Sequence, residues 1–198
     1  RLREVVSLEI EIHAHNDLGL ATANTLAALR AGATHANTTV NGLGERAGNA
    51  ALEEVVMALR HLQGQDCGMQ TTELMAISKL VAQASGRPVA ANKSIVGEAV
   101  FTHESGIHVD GLLKNPSNYE GFDPAELGRE RRTVLGKHSG SRAVRVAYQA
   151  LGLPVIDPHV QPLLDRIRAH AVTTKCAPTT DDLQRFFLEE AALPGQAS

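Results

Sequence analysis

Aromatic side chains are scarce in this chain of 198 residues, and neither sign of charge is in large excess. The chain contains no tryptophan, two tyrosines and four phenylalanines, and its 19 Lys and Arg against 22 Asp and Glu give a net charge of −3. Nucleic-acid binding draws on a basic surface for the phosphates and on aromatic rings that stack on bases. The composition therefore predicts that nucleic acid is not a partner.

Cysteines and long apolar runs are also few. The two cysteines, Cys67 and Cys176, lie far apart, which favours reduced thiols over a disulfide framework. No stretch approaches the roughly 18 uninterrupted apolar residues of a membrane-spanning helix, and no charged and apolar leader opens the sequence. We therefore expect a cytoplasmic globular protein without membrane contact.

Regular hydrophobic patterns fill the first 62 residues. Residues 8–15 alternate between apolar and polar side chains, which predicts a strand with one wholly polar face. An alanine-rich helix is predicted at 21–31, a β-branched strand at 34–40, and an amphipathic helix from 52 to 59. This alternation predicts an α/β fold with a parallel sheet or barrel, because parallel strands need a crossover connection.

Beyond this segment the pattern is mostly helical. A helix is predicted at 72–84, followed by an irregular stretch to about residue 132 with a short helix at 105–113 inside it. Three further helices are predicted at 141–151, 158–172 and 181–190. Residues 137–140, just before the first of these, are interpreted as a solvated turn.

Two histidines at the end of the first predicted strand are candidate metal ligands. His13 and His15 are two residues apart, so their rings share one face of the strand about 6.5 to 7 Å apart along the chain. The carboxyl ends of the strands form the catalytic face of a parallel α/β barrel. The alternative is a pair of surface histidines. Imidazoles combined with oxygen ligands suit Zn, Mn, Mg, Fe or Co alike.

Asn49 closes a loop with three glycines that follows the second predicted strand. The loop is expected to emerge beside the two histidines, where an amide oxygen can complete the coordination of a hard cation. Asn49 alternatively caps the helix that follows, and the pattern alone favours that interpretation.

A polar, glycine-flanked segment at residues 101–111 carries His103 and His108. A histidine in such a setting titrates near neutrality and can serve as an acid or base, although a buried, hydrogen-bonded histidine is the commoner outcome. Tyr119 lies eleven residues after His108. Its simplest interpretation is ordinary packing.

Three long motifs together resemble one family, that of the α-isopropylmalate and homocitrate synthases. They are IHAHNDLGLATAN at 12–24, NTTVNGLGERAGNA at 37–50 and HESGIHVDGLLKNPSNYEGFDP at 103–124. Members of this family are metal-dependent (β/α)8 barrels that condense acetyl-CoA with a 2-oxo acid. The resemblance implies the C-terminal part of a TIM barrel, followed by a mostly α-helical lid and subdomain region.

The resemblance also implies roles for particular residues. His13 and His15 match metal ligands, and Asn49 matches a position that contributes to the metal site in part of the family. His108 matches a lid histidine that acts on the acetyl methyl or the thioester, and Tyr119 matches its tyrosine partner. Since the family's lid is lent by a neighbouring subunit, a homodimer with an exchanged lid is implied.

The family's N-terminal signature, with an Asp metal ligand and an Arg beside the 2-oxo acid, precedes anything in this sequence. We therefore expect residues 1–62 to be the last two strand–helix units of the barrel, 63–135 a linker and lid, and 136–198 a helical subdomain. The chain is then either a fragment or one subunit of a split enzyme that pairs with a separate N-terminal chain.

Substrate choice depends on two features. The lid motif reads HVDGLLK, where isopropylmalate synthases tend to have Gln after the His, and little sequence follows the helical subdomain. Both favour a homocitrate synthase that uses 2-oxoglutarate, of the kind associated with nitrogenase cofactor assembly. The alternatives are a 2-isopropylmalate synthase using 2-oxoisovalerate, a lyase or aldolase on the same barrel, and a non-catalytic partner chain.

Overall fold

The computed structural model describes residues 1–104, 111 and 120–192 of a mixed α/β chain. Its residues cluster into two compact units. The first unit comprises Arg1–Val100 and Phe122–Glu130, and the second the described part of Phe101–Gly121 and Arg131–Ser198. The short helix predicted at 105–113 lies outside the described residues, apart from residue 111. Within the described ranges, no helix combines the length and apolar character needed to cross a membrane.

The first unit alternates strands and helices as the sequence predicts. Strands β1 and β2 pair in parallel, with Ile12 opposite Ala36, and the helix between them supplies the crossover. The elements are α1 (Leu2–Val5), β1 (Glu11–His13), α2 (Ala21–Arg30), β2 (His35–Asn37), α3 (Leu52–Gln63) and α4 (Leu74–Ser85).

Both strands are shorter than the alternating patterns predicted. A strand extends only as far as its backbone pairs with a neighbouring strand. β1 and β2 pair over three residues each. Apolar alternation reports which face of an extended segment is covered, whereas strand length also depends on the neighbouring backbone.

Small side chains bring α2 and α3 close to the strands. Ala21 and Ala50 are fully buried, and they pack in one cluster with Ala14 and Val55. The Thr22 hydroxyl of α2 donates a hydrogen bond of 2.7 Å to Glu54 of α3, which joins the two helices. The chain that leaves β1 is thereby fixed relative to the chain that leaves β2.

The second unit is built mainly from helices. Its core contains Val144, Tyr148, Leu163 and Ile167, all of them essentially inaccessible to solvent. Its elements are the parallel strands β3 (Thr102–His103) and β4 (Arg132–Thr133), followed by α5 (Ser141–Ala150), α6 (Val160–Thr174) and α7 (Thr180–Ala191). The three helices predicted from periodicity in this part of the chain are confirmed to within two residues at each end.

The turn before α5 is only partly solvated, which corrects the sequence interpretation of residues 137–140. Lys137 and His138 are exposed, but Ser139 is fully buried. The Ser139 hydroxyl accepts a hydrogen bond from the Gly136 backbone at 2.9 Å. The Glu104 carboxylate accepts one from the His138 backbone N–H at 2.9 Å. Hydrogen bonds to a hydroxyl and a carboxylate therefore fix the backbone of this turn, although its polar composition indicates a solvated loop.

A buried carboxylate lies at the end of the undescribed stretch 112–119. Glu120, whose side chain is 4% exposed, accepts a hydrogen bond of 2.8 Å from Arg131 Nε. Its other oxygen lies 3.4 Å from His103 Nε2, and the His103 side chain is 11% exposed. Glu120 and His103 are buried, whereas the Arg131 side chain is 38% exposed. Loss of the carboxylate therefore removes the acidic neighbour of a buried histidine and one hydrogen bond of Arg131.

We expect Glu120→Ala to lower the free energy of unfolding of the protein by about 1 to 3 kcal/mol, the scale for losing a partner of a buried polar or charged group. Urea denaturation followed by circular dichroism measures the change. Glu189→Ala, which removes a half-exposed partner of Arg166 and Arg185, is the control, with an expected loss below about 1 kcal/mol. Equal losses in the two variants would contradict the interpretation.

Candidate metal centre

His13 and His15 lie side by side at the end of β1. Their Nε2 atoms are 3.1 Å apart, and the ring centroids are separated by 4.9 Å with the planes at 74°. Two nitrogens bound about 2.1 Å from one cation at a right angle are about 3.0 Å apart. The two rings are therefore arranged to share a cation, or a single hydrogen bond when one of the two nitrogens carries a proton.

Asn49 reaches the same place from the glycine loop. It forms an isolated antiparallel bridge with His15, and the backbone hydrogen bond from Ala50 to Ala14 (3.1 Å) holds the two segments together. The Asn49 side-chain oxygen and His15 Nδ1 are both buried and have no hydrogen-bond partner in the part of the chain that the structure describes. A buried polar atom without a partner costs about 1 to 3 kcal/mol. The Asn49 oxygen is free to accept a cation. His15 Nδ1 carries the ring proton when His15 binds a cation through Nε2.

These residues fit a divalent cation. Two converging imidazoles and an unpartnered amide oxygen are donors that such ions accept. The set carries no negative charge, and the described residues hold no group of three or more His, Cys, Asp or Glu side chains suited to a metal. The donors found in the described residues therefore supply no charge to offset that of a divalent cation.

The conformation of the glycine loop leaves no room for a side chain at two of its positions. Gly48 adopts φ +89°, and a Cβ atom there would lie 2.1 Å from the Gly42 carbonyl oxygen. A Cβ on Gly44 would lie 2.8 Å from the side-chain oxygen of Asn49. Larger residues at either position would displace the loop. Helix α3 begins at Leu52 with no side-chain cap, so the interpretation of Asn49 as a helix cap is wrong.

A buried ionic cluster supports the start of the loop. Glu53 is 1% exposed, accepts a hydrogen bond of 3.0 Å from the Asn41 backbone, and lies 3.3 Å from Lys93 Nζ. Lys93 also pairs with Glu54. Burial favours the protonated form of Glu54, but the hydrogen bonds it accepts, led by that from Lys93, lower its pKa below the usual value. Sequence reasoning missed this cluster because nothing local links Lys93 to α3.

The other candidate residues lie elsewhere. His108 and Tyr119 fall outside the described residues, so their assignment stays a prediction. Sequence reasoning also missed Arg46, which makes two hydrogen bonds of 2.9 Å to Asp17. The GLGERAGN motif, read together with the HND sequence that begins at His15, is the signal that points to this pair.

Comparison with known proteins places these residues in context. Residues 1–81 match the HMGL-like family, and residues 95–175 match the homocitrate synthase post-HMGL domain-like family. The 2-isopropylmalate synthase 2 of Caldanaerobacter subterraneus subsp. tengcongensis is 50% identical over 196 residues, which are 99% of this chain and 51% of that protein. Homocitrate synthase 1 of Nostoc sp. is 49% identical over 189 residues, 96% and 50% of the two chains.

A third relative carries a different name. The putative (R)-citramalate synthase CimA of Methanopyrus kandleri is 51% identical over 170 residues, 85% of this chain and 33% of that protein. The chain spans about half the length of the first two relatives. Proteins named for three different synthases are thus about equally similar to it.

Proposed function

We propose that this chain, of which residues 1–81 match the HMGL-like family and residues 95–175 the homocitrate synthase post-HMGL domain-like family, supplies part of the active site of an acetyl-CoA-dependent acyltransferase. The observation that carries the proposal is the convergence of His13 and His15 at the end of β1, with Asn49 bridged to His15. In the proposed architecture, these residues lie on the catalytic face of a TIM barrel of which this chain forms the last strand–helix units.

We propose that the reaction is a Claisen condensation of acetyl-CoA with 2-oxoglutarate, which gives homocitrate and CoA. The HVDGLLK sequence of the lid motif and the relatives named homocitrate synthase support this substrate. The second candidate is 2-oxoisovalerate, because a relative named 2-isopropylmalate synthase 2 is as similar to the chain.

In the mechanism, His13, His15 and Asn49 hold a divalent cation, which when bound supplies Lewis-acid polarisation of the keto group of the 2-oxo acid. His108 takes a proton from the acetyl methyl, and Tyr119 orients the histidine. The resulting carbanion adds to the keto carbon, and the new alkoxide takes up a proton. Water then hydrolyses the thioester and releases CoA, which makes the condensation irreversible.

The proposed partners follow from the same resemblance. Acetyl-CoA and the 2-oxo acid are the small-molecule substrates. The segment with His108 and Tyr119 acts on a second copy of the protein in a homodimer, and the barrel is completed by an N-terminal segment or by a separate N-terminal chain.

We expect His108→Ala to lower kcat of the complete enzyme by about 10² or more, the usual scale for losing a positioned acid or base. The KM for the 2-oxo acid should change little, since binding of that substrate is assigned to other groups. Steady-state CoA release measures both constants. His103→Ala, at the histidine that pairs with Glu120, is the matched control and should lower kcat much less. The reverse order would mean that the wrong histidine was assigned.

Thiol release from acetyl-CoA tests the function directly. The complete enzyme is assayed with 2-oxoglutarate, 2-oxoisovalerate and pyruvate in the presence of Mn²⁺, and kcat/KM is expected to be highest for 2-oxoglutarate. A clear preference for 2-oxoisovalerate or pyruvate would overturn the substrate but keep the reaction class. No CoA release with any of the three would overturn the function and favour a non-catalytic chain.

A further inference from the structure

A bidentate ion pair joins the two loops that carry His15 and Asn49. Arg46 Nε donates a hydrogen bond of 2.9 Å to Asp17 Oδ1, and Arg46 Nη2 donates one of 2.9 Å to Asp17 Oδ2. Asp17 lies two residues after His15, and Arg46 lies three residues before Asn49. The pair therefore spans the two segments close to their candidate ligands.

The ion pair of Asp17 with Arg46 contributes little to the stability of the fold. The side chains of Asp17 and Arg46 are 48% and 54% exposed, and ion pairs this exposed contribute little to folding. Arg46 also has φ +55°, a left-handed conformation that disfavours residues other than glycine. Residues held in sparsely populated conformations cluster at functional sites. The pair thus combines a backbone cost with a fixed two-point contact.

Backbone hydrogen bonds near Arg46 couple the position of Arg46 to that of Asn49. Gly48 N–H donates to the Glu45 carbonyl at 2.8 Å, and Asn49 N–H donates to the Gly42 carbonyl at 3.0 Å. The loop therefore folds back on itself between Arg46 and Asn49. A movement of Arg46 away from Asp17 is passed to Asn49 across three residues of tightly turned chain.

Two backbone hydrogen bonds run beside the ion pair. Asn16 N–H donates to the Gly48 carbonyl at 2.9 Å, and Ala50 N–H donates to the Ala14 carbonyl at 3.1 Å. These two hydrogen bonds set the distance between the two segments. The ion pair adds a side-chain contact whose two hydrogen bonds fix its orientation. The ion pair can be removed or reversed by substitution without any change to the backbone donors.

We propose that Asp17 and Arg46 are positioning residues whose ion pair holds the glycine loop so that Asn49 stays in its bridge with His15, which raises the affinity for a divalent cation. The inference rests on the proposed metal centre. Residues that orient metal ligands typically change metal affinity 10- to 100-fold when they are replaced. The same range is expected here.

A competing role for Arg46 gives a different result. Arg46, Arg87 and Lys93 line a cleft of about 240 Å³ beside the glycine loop, so an anionic substrate is an alternative partner for the guanidinium. In that case, replacing Arg46 raises the KM for acetyl-CoA or the 2-oxo acid and leaves the affinity for the metal alone unchanged.

Binding of Mn²⁺ to the complete enzyme without substrates tests the proposal, with free Mn²⁺ followed by electron paramagnetic resonance. Asp17→Asn and Arg46→Gln are each expected to raise the Kd about 10- to 100-fold, and Arg46→Lys to raise it less because one contact survives. The reversed pair D17R/R46D should recover most of the lost affinity, since Asp tolerates the left-handed conformation. Arg185→Gln, which removes an exposed pair with Asp182, should leave the Kd unchanged.

The outcomes separate the inference from the function on which it rests. If the unaltered enzyme does not bind Mn²⁺, the proposed metal centre fails. If it binds Mn²⁺ and all the Asp17 and Arg46 variants bind it equally well, the metal centre stands and the positioning role is wrong. A thermal melt of each variant identifies any that fails to fold. The reversed pair then decides the question, because simple destabilisation would not be repaired by exchanging the charges.

Discussion

Replacing His13 or His15 by alanine is expected to abolish metal retention and turnover in the complete enzyme while leaving its fold intact. Each substitution removes one of two converging imidazoles, and the remaining donors, an imidazole and a neutral amide, hold a divalent cation poorly. Metal polarisation of a carbonyl contributes several kcal/mol to a transition state, and each 1.36 kcal/mol is tenfold in rate. We therefore expect kcat to fall by about 10³ or more.

Elemental analysis of the purified variants measures metal per chain, and circular dichroism checks the fold. His35→Ala is the matched control, because His35 lies opposite Glu11 on the neighbouring strand and its side chain is 53% exposed. That variant should keep both metal and activity. Full metal occupancy in both the His13 and His15 variants would remove them as ligands.

These 198 residues prepared by themselves are expected to have no synthase activity and to associate. The described part of the first unit pairs β1 with β2 in a two-stranded sheet, whereas a barrel leaves no sheet edge unpaired. Exposed edges invite pairing with other chains. The polar row of the sheet is also open, since the side chain of Glu9 is 81% exposed. The helices of the second unit should still form.

Addition of the N-terminal half of a full-length relative in trans tests this expectation. Solubility, Mn²⁺ binding and CoA release should all be restored together, because the added half carries the remaining strands and the carboxylate ligand of the proposed barrel. The same mixture made with the His13→Ala chain should regain solubility but not activity. A monodisperse and active preparation of the chain alone would show that the proposed barrel architecture is wrong.

Local patterns in the sequence predict the parts of this structure that depend on local physics. Helix α3 follows from an apolar stripe, and α7, predicted at 181–190, spans Thr180–Ala191. The side-by-side placement of His13 and His15 follows from strand periodicity alone. These features need no knowledge of what the rest of the chain does.

Pairings between distant residues escape such patterns. The ion pair of Asp17 with Arg46 spans 29 residues, and the contact of Lys93 with Glu54 spans 39. The sequence pattern alone favours Asn49 as a helix cap over the metal ligand that the resemblance implies, and the bridge to His15 is a contact that the pattern does not show. The assignment of His108 and Tyr119 depends on resemblance to a family, since neither spacing nor composition distinguishes them from ordinary buried residues.

The metal centre is the central claim, and electron spin-echo envelope modulation of the Mn²⁺-loaded complete enzyme tests it most directly. The spectrum reports nitrogen nuclei bound to the ion. Two imidazole nitrogens are expected in the unaltered protein, one in His13→Ala and one in His15→Ala, examined at Mn²⁺ concentrations high enough to load the weakened sites. Bound Mn²⁺ whose imidazole couplings are absent, or are unchanged in both variants, would contradict the account.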